Sequence, residues 1–338
     1  MKELLAILLL FLNYSFSQET VFELLNSKET GVEFNNIIED KKEHNILLYA
    51  NYYGGGGVGI ADFDNDGLQD IYFGGNLVSD KIYKNLGDFK FADKTINSGI
   101  VDNGSWSSGI TIADVNNDGL VDIYVSKELY DDKPDLRKNK LYINKGDFTF
   151  EESSKNWGVD VSARTRHAVF FDYNNDGYLD LYLLNQPPNP GSYSKFFGAD
   201  LTLLEYSLQL FKNTGNNSFI DVTKEAGLNR TGFPNSVVAS DLNQDGFIDL
   251  YVANDFDAPD FLYYNNGDGT FSYETESSLK HTSFYSMGVD SADINNDGEL
   301  DIMVVDMTAE DNFRLKSNMS GMNPSAFWKV VENGGHFQ

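Results

Sequence analysis

The sequence predicts an all-β fold built from a repeated four-stranded antiparallel unit. Three observations predict it. The pattern Asp-x-[Asp/Asn]-x-Asp-Gly-x-x-Asp occurs five times in one register, with first aspartates at 62, 114, 172, 241 and 293. Short apolar runs flank every copy, and a second pair of strand signatures follows the first four copies. The spacings of 52, 58, 69 and 52 residues are those of a propeller or array rather than of a small repeat.

Each copy places oxygen side chains at positions 1, 3, 5 and 9. They are Asp62, Asp64, Asp66 and Asp70; Asp114, Asn116, Asp118 and Asp122; Asp172, Asn174, Asp176 and Asp180; Asp241, Asn243, Asp245 and Asp249; and Asp293, Asn295, Asp297 and Asp301. Glycine at position 6 permits the positive φ that reverses the chain. The carbonyl of position 7 is then expected to turn inward, which leaves that side chain free to vary as Leu68, Leu120, Tyr178, Phe247 and Glu299. Such a wrap of hard oxygens suits Ca²⁺, which takes about six to eight of them in a flexible shell, better than Mg²⁺ with its strict octahedron. No His or Cys lies in a loop, which disfavours zinc and copper. Asp, Asn and Gly also make ordinary solvated turns. A plain turn does not explain an aspartate three residues past the glycine in every copy. Up to five calcium ions are therefore expected.

The loops are not EF-hands, which need a bidentate Glu at position 12 and flanking helices. Position 12 is Phe73, Val125, Leu183, Val252 or Val304. Runs such as Ile71-Tyr-Phe73 and Leu250-Tyr-Val252 read as buried strands, as do Gly57–Ala61 and Gly109–Ala113 before the loops. Each loop is thus expected at the tip of a β-hairpin. A third strand carries an aromatic–x–Asn signature, in Tyr83-Lys-Asn85, Tyr142-Ile-Asn144, Phe211-Lys-Asn213 and Tyr264-Asn-Asn266. A Gly turn and a strand opening with Phe91, Phe150, Phe219 or Phe271 complete the unit. Four antiparallel strands are the composition of a propeller blade, so residues 51–305 are expected to form five propeller repeats.

Two insertions, Glu128–Lys138 and Gln186 to about Ser207, fall between second and third strands, where they would share one face. The second contains Tyr193, Phe196 and Phe197, a possible contact surface, although neutral insertions are commoner. Both ends look unfinished. Phe22 to Val32 matches the outer-strand pattern, so residues 18–50 are expected to carry a blade-completing strand. The last unit lacks a recognisable third and fourth strand. Residues 306–338 read as an extension with a short helix over Ser325–Asn333, capped by Asn323-Pro324, and the chain reads as a fragment of a longer protein.

Residues 1–17 have the form of a secretory signal: Lys2, the apolar run Leu4–Leu12, and Ser15-Phe-Ser17 before a cleavage site at Gln18. The expected location is secreted or at the cell surface, periplasmic or outer-membrane associated in a Gram-negative cell. No segment of the mature chain is long and apolar enough to span a bilayer. The absence of cysteine removes disulfides, thiol nucleophiles and thiolate sites. A net charge of −27 disfavours nucleic acid as a partner.

On these loops and their strands, over about residues 50–305, the chain resembles the FG-GAP/VCBS-repeat proteins, the integrin-α-like calcium propellers. Tyr52-Tyr-Gly-Gly-Gly-Gly57 and Val252-Ala-Asn-Asp255 are most similar to bacterial secreted members related to cartilage acidic protein. The resemblance implies a β-propeller, usually seven-bladed, with calcium at the hairpin loops. Five loops would then be an incomplete part of such a ring.

No catalytic constellation emerges. His44, His167, His281 and His336 are scattered, and the paired carboxylates belong to the loops. Arg164-Thr-Arg166-His167 is the one basic cluster; it could hold an anion, but partnership with nearby acidic residues is the simpler reading. The sequence therefore favours a binding or adhesion module for an extracellular protein or glycan. A propeller enzyme acting on exported polysaccharide and a structural scaffold of a larger surface protein are the alternatives.

Overall fold

A computed structural model of the chain describes residues 22–49, 51–100, 104–130, 132–187, 206–255, 258–283 and 285–307. They form four four-stranded antiparallel sheets and one two-stranded sheet. The first holds β1 (Val58–Ala61), β2 (Asp70–Phe73), β3 (Lys81–Asn85) and β4 (Phe91–Asp93). The second holds β5 (Trp106–Ala113), β6 (Asp122–Glu128), β7 (Lys140–Asn144) and β8 (Phe150–Glu152). The third holds β9 (Arg164–Phe171), β10 (Asp180–Gln186), β11 (Gln209–Asn213) and β12 (Phe219–Asp221). The fourth holds β13 (Pro234–Ser240), β14 (Asp249–Asn254), β15 (Phe261–Asn265) and β16 (Phe271–Tyr273), and β17 (Ser286–Ala292) pairs with β18 (Asp301–Asp306). Strand order within each sheet follows the chain, as a meander requires.

The first strand of each sheet touches the first strand of the next, from β1 through β5, β9 and β13 to β17. Successive sheets therefore stack as blades, and a core fills each gap. Between the first and second sheets lie Phe63, Tyr72, Ile82, Ile123, Val125 and Phe150. Tyr124 points the other way, with Leu181, Leu183, Trp157 and Phe219 between the second and third. Both faces of β6 and β10 are thus covered, and every residue of these strands is buried. This explains why the second strands read as continuous apolar runs rather than as alternating ones. The outward faces of the first and last sheets are different: Val58, Ile60, Met303 and Val305 are all at least half exposed.

The N-terminal segment departs from expectation. Among the described residues, 22–48 contain no strand, and Phe22 and Leu24 are exposed. The recurring part of the outer-strand pattern is instead its closing turn. Ser27–Thr30 makes one helical turn that ends at Gly31 in the left-handed region, as Ser154–Trp157 ends at Gly158. A Cβ on Gly31 would lie 2.4 Å from the Phe91 carbonyl oxygen, just as one on Gly99 would lie 2.0 Å from that of Phe150. Gly31 thus seats against the outer strand of the first sheet as Gly99 does against the second. Phe34 stacks on Phe73 at 4.9 Å between ring centroids. The signal segment, Tyr193, Phe196, Phe197 and the C-terminal helix expected at Ser325–Asn333 lie outside the described residues. Among the described residues no helix is long and apolar enough to cross a membrane.

Candidate metal centres

The five Asp-rich loops are hairpin tips in one register. The residue before position 1 pairs with the position-9 aspartate every time: Ala61 with Asp70, Ala113 with Asp122, Phe171 with Asp180, Ser240 with Asp249 and Ala292 with Asp301. Position 6 is glycine at φ between 85° and 90°, and position 4 is also left-handed, at Asn65, Asn117, Asn175, Gln244 and Asn296. A Cβ on any of the five glycines would meet nothing within 4 Å, so glycine serves the backbone angle and not space.

Position 1 holds the turn together. In the first loop the N–H groups of Asp66 and Gly67 donate to Asp62 at 3.0 and 2.7 Å. Asp114, Asp172, Asp241 and Asp293 accept the same pair of bonds in their own loops. At position 5, Asp66, Asp118, Asp176, Asp245 and Asp297 accept from the N–H of position 7, which is Leu68, Leu120, Tyr178, Phe247 or Glu299. The position-7 side chains are not idle: a Cβ on Gly215 would strike the Tyr178 ring, and one on Gly267 the Phe247 ring.

Position 9 is the buried member of the set. Asp70, Asp122, Asp180 and Asp249 are almost wholly buried, while Asp301 is partly so. One oxygen of each accepts the N–H of position 2 in its own loop, from Phe63, Val115, Tyr173, Leu242 and Ile294. In the first four sheets the other accepts from Asn85, Asn144, Asn213 or Asn265. Burial pushes Asp122 up to about 7, against the two N–H bonds and aided by the charges of Asp118 and Asp114. Burial raises Asp180 to about 7 in the same way, and Asp70 and Asp249 shift upward too.

The aromatic–x–Asn signature is now explained, with one correction: in the fourth sheet the third strand ends at Asn265, so the matching pair is Tyr263 and Asn265 and not Tyr264 and Asn266. Each asparagine lies at the end of the third strand; Asn85 donates to Gln69 of its own loop, and the side chains of the next three bridge two loops. Asn144 donates to the carbonyls of Val121, in its own loop, and Phe63, in the preceding loop. Asn213 spans Leu179 and Val115, and Asn265 spans Ile248 and Tyr173. A second bridge comes from position 4. Asn65, Asn117, Asn175 and Gln244 donate to the position-6 carbonyls of the next loop, at Gly119, Gly177, Gly246 and Gly298. The recurrence of both residues is visible in the sequence; their reach into a neighbouring loop is not.

The donor chemistry fits a hard cation. Carboxylate oxygens of Asp62, Asp64 and Asp70 can all lie within 4.8 Å of one another. Asp64 Oδ1 is buried with no hydrogen-bond partner. The Lys84 ammonium bonds Asp64 and lies 2.8 Å from Asp66, so a positive charge already sits at this cluster. In the second to fourth loops an amide takes the corresponding place: Asn116, Asn174 and Asn243 donate to Asp118, Asp176 and Asp245. Asn295 accepts from the N–H of Asp297, as Asn116 does from Asp118. Loop side chains at positions 1, 3, 5 and 9 would hold the ion.

The basic cluster at the start of β9 lies at the opposite end of the sheets. Arg166 is 3.6 Å from Glu128, which is wholly buried and accepts the Tyr49 phenol. Burial raises Glu128, with Arg166 and Tyr49 opposing the shift. The Arg164 guanidinium lies 5.5 Å over the Tyr49 ring. Burial and the charge of Arg166 press His167 down to about 4, so it is neutral. The geometry makes the cluster a partner for Glu128. A cavity of about 180 Å³, lined by His44, Tyr49, Tyr130 and Arg164 among others, adjoins it.

No curated protein matches the chain. Among solved structures, a lectin from Agrocybe aegerita that recognises non-reducing terminal N-acetylglucosamine overlaps with a TM-score of 0.42 at 18% identity, over 72% of this chain and 59% of that one. The biofilm matrix protein Bap1 of V. cholerae overlaps with a TM-score of 0.33 at 16% identity, over 66% of this chain and 30% of that one. A fructofuranosidase from Schwanniomyces occidentalis gives 0.38 at 12% identity, over 79% of this chain and 55% of that one. The chain spans less than two thirds of each, and likeness this remote says nothing about a ligand. The FG-GAP-like repeat family matches residues 45–125, 131–183, 199–252 and 241–304, well over half of the chain. With five hairpins in one register and four four-stranded sheets in chain order, the chain belongs to the FG-GAP-like repeat family.

Proposed function

We propose that this chain is a calcium-stabilised β-propeller module, exported to the cell exterior or surface, that binds a protein or glycan there. The observation that carries the metal reading is the first loop, where three carboxylates converge and one buried oxygen has no protein partner. Three or four carboxylates at each tip repel one another until a divalent ion offsets them. The binding role rests on the repeat family and on sheets whose ends present loops of different length. The aromatic insertion at Tyr193–Phe197 is the first place to look for contacts.

Two measurements test this. Calorimetry with Ca²⁺ should show binding at about 0.1–1 mM, the range of weak extracellular sites, with Mg²⁺ a poor substitute. Glycan and protein arrays, probed with and without calcium, should show calcium-dependent capture. No heat of calcium binding would end the metal reading, and arrays silent in both conditions would end the binding one.

A further inference from the structure

The first loop differs from the others in two linked ways. Its position 3 is Asp64, where the others carry Asn116, Asn174, Asn243 and Asn295. Its third strand supplies Lys84, whose ammonium bonds Asp64 and lies 2.8 Å from Asp66. The residue before the bridging asparagine is Ile143 in the second sheet, Lys212 in the third and Tyr264 in the fourth. Lys212 reaches only Asp176, at 3.2 Å. Ile143 and Tyr264 bring no charge.

We propose that Lys84 is a tethered cation that holds the first loop in its metal-free form and competes with calcium for it. The residue before the third-strand asparagine then sets calcium affinity blade by blade. This rests on the reading of the loops as calcium sites. Lys84 bonds the Oδ2 atoms of Asp64 and Asp66, next to the unpartnered Asp64 Oδ1. An ammonium on one oxygen of a carboxylate and a divalent ion on the other repel as like charges, so calcium entry drives Lys84 away from the loop. The side chain has somewhere to go: it is 22% exposed, and its ammonium already lies 5.4 Å from the Phe148 ring centroid on the next sheet. That aromatic face can keep a displaced cation near the loop.

The consequence is an order of affinities among the four loops with a described third strand. The second and fourth loops bind most tightly, the third less so, and the first is weakest. Removing the lysine should reverse the first loop's rank, because four carboxylates without a competing charge exceed three.

The test is calcium calorimetry on the whole chain, with Lys84→Met and Ile143→Lys beside the natural sequence. Lys84→Met should strengthen one weak site by about tenfold or more, the equivalent of one charge-assisted hydrogen bond, without changing the number of sites. Ile143→Lys should weaken one site by a similar factor. A second measurement needs no variant. The acylation rate of the Lys84 amine, read by mass spectrometry, should rise when calcium replaces chelator, while that of Lys145 stays constant. Calcium isotherms identical in Lys84→Met and the natural chain, or a Lys84 acylation rate indifferent to calcium, would overturn the inference and leave the calcium reading standing. Absence of any calcium binding would overturn both.

Discussion

Asp64 and Asp80 belong to opposite ends of the first sheet and solve the same problem in different ways. Asp80 is fully buried before β3, and the protein supplies all its partners. It accepts from the Gly75 N–H at 2.7 Å, the Ser107 hydroxyl at 2.6 Å and the Tyr72 phenol at 2.8 Å, with the buried Lys127 ammonium 3.4 Å away. Asp260 repeats the arrangement in the fourth sheet, with Asn254, Tyr251 and Ser286. In the second sheet Asn139 reaches Thr165 across the same gap. Asp64, in contrast, keeps a buried oxygen without a partner. At one end donors built into the chain neutralise the carboxylate. At the other, Lys84 bonds one oxygen of Asp64 and the second is left open to the ion proposed above. The end that completes itself should be indifferent to calcium, and the loop end should depend on it.

That contrast can be broken at several points. The largest effect should come from the metal itself. Ligand binding only to the native state adds about 2.7 kcal/mol per site at a hundredfold excess over Kd. Melting followed by circular dichroism should therefore shift upward strongly from chelator to millimolar Ca²⁺, and an unchanged melt would refute the contrast. Next comes Asp80→Ala, which removes a buried carboxylate partner from the Lys127 ammonium, where both side chains are at most 1% exposed, and the acceptor of the Ser107 hydroxyl and Tyr72 phenol. Losing one partner of a buried pair costs about 3–5 kcal/mol. Denaturant melts should show that loss equally with calcium and with chelator. Asp118→Asn should behave oppositely, destabilising only when calcium is present.

A smaller effect should follow from Asn144→Ala, which removes the amide donated to Phe63 and Val121. Leaving those carbonyls without their donor should cost about 1–3 kcal/mol in either condition. It should also lower calcium affinity in both loops that it joins.

The smallest is a dependence on pH. Asp122 and Asp180 sit at about 7, above the unfolded carboxylate value. In chelator the native state then binds more protons than the unfolded state, so stability should fall as pH rises through 7. Calcium requires the ionised form and should reverse the trend. The window to measure is pH 6.5 to 8 (about the range above ordinary His titration), because neutral His167 opposes the effect at lower pH. The double change Asp122→Asn/Asp180→Asn should flatten the chelator profile.

Much of the loop end was legible because it is repeated. Five aspartate–glycine spacings and their apolar flanks were enough to place the hairpins, and the pairing of Ala61 with Asp70 recurs in every sheet. The roles of Asn144, Asn213 and Asn265 were hidden because their partners lie 81 to 98 residues away in the preceding loop. Lys84 was hidden for a related reason: a partly exposed strand residue gives no sign that its ammonium reaches a loop. The N-terminal segment misled because Phe22 to Val32 shares apolar residues with the outer strands. What recurs physically is the left-handed glycine at position 31, seated against a neighbouring strand.

The amides at position 4 have one more consequence. Each donates a hydrogen bond to the following loop across 54, 60, 71 or 54 residues of sequence, yet the bond lengths stay between 2.9 and 3.3 Å. The tips are therefore spaced by a ruler that does not run along the polypeptide. Chain can be added between a second and a third strand, as it is before Lys140 and before Gln209, without changing the pitch between one tip and the next. Variation is thereby directed to the far rim, where new loops can grow while the row of aspartate tips keeps its phase.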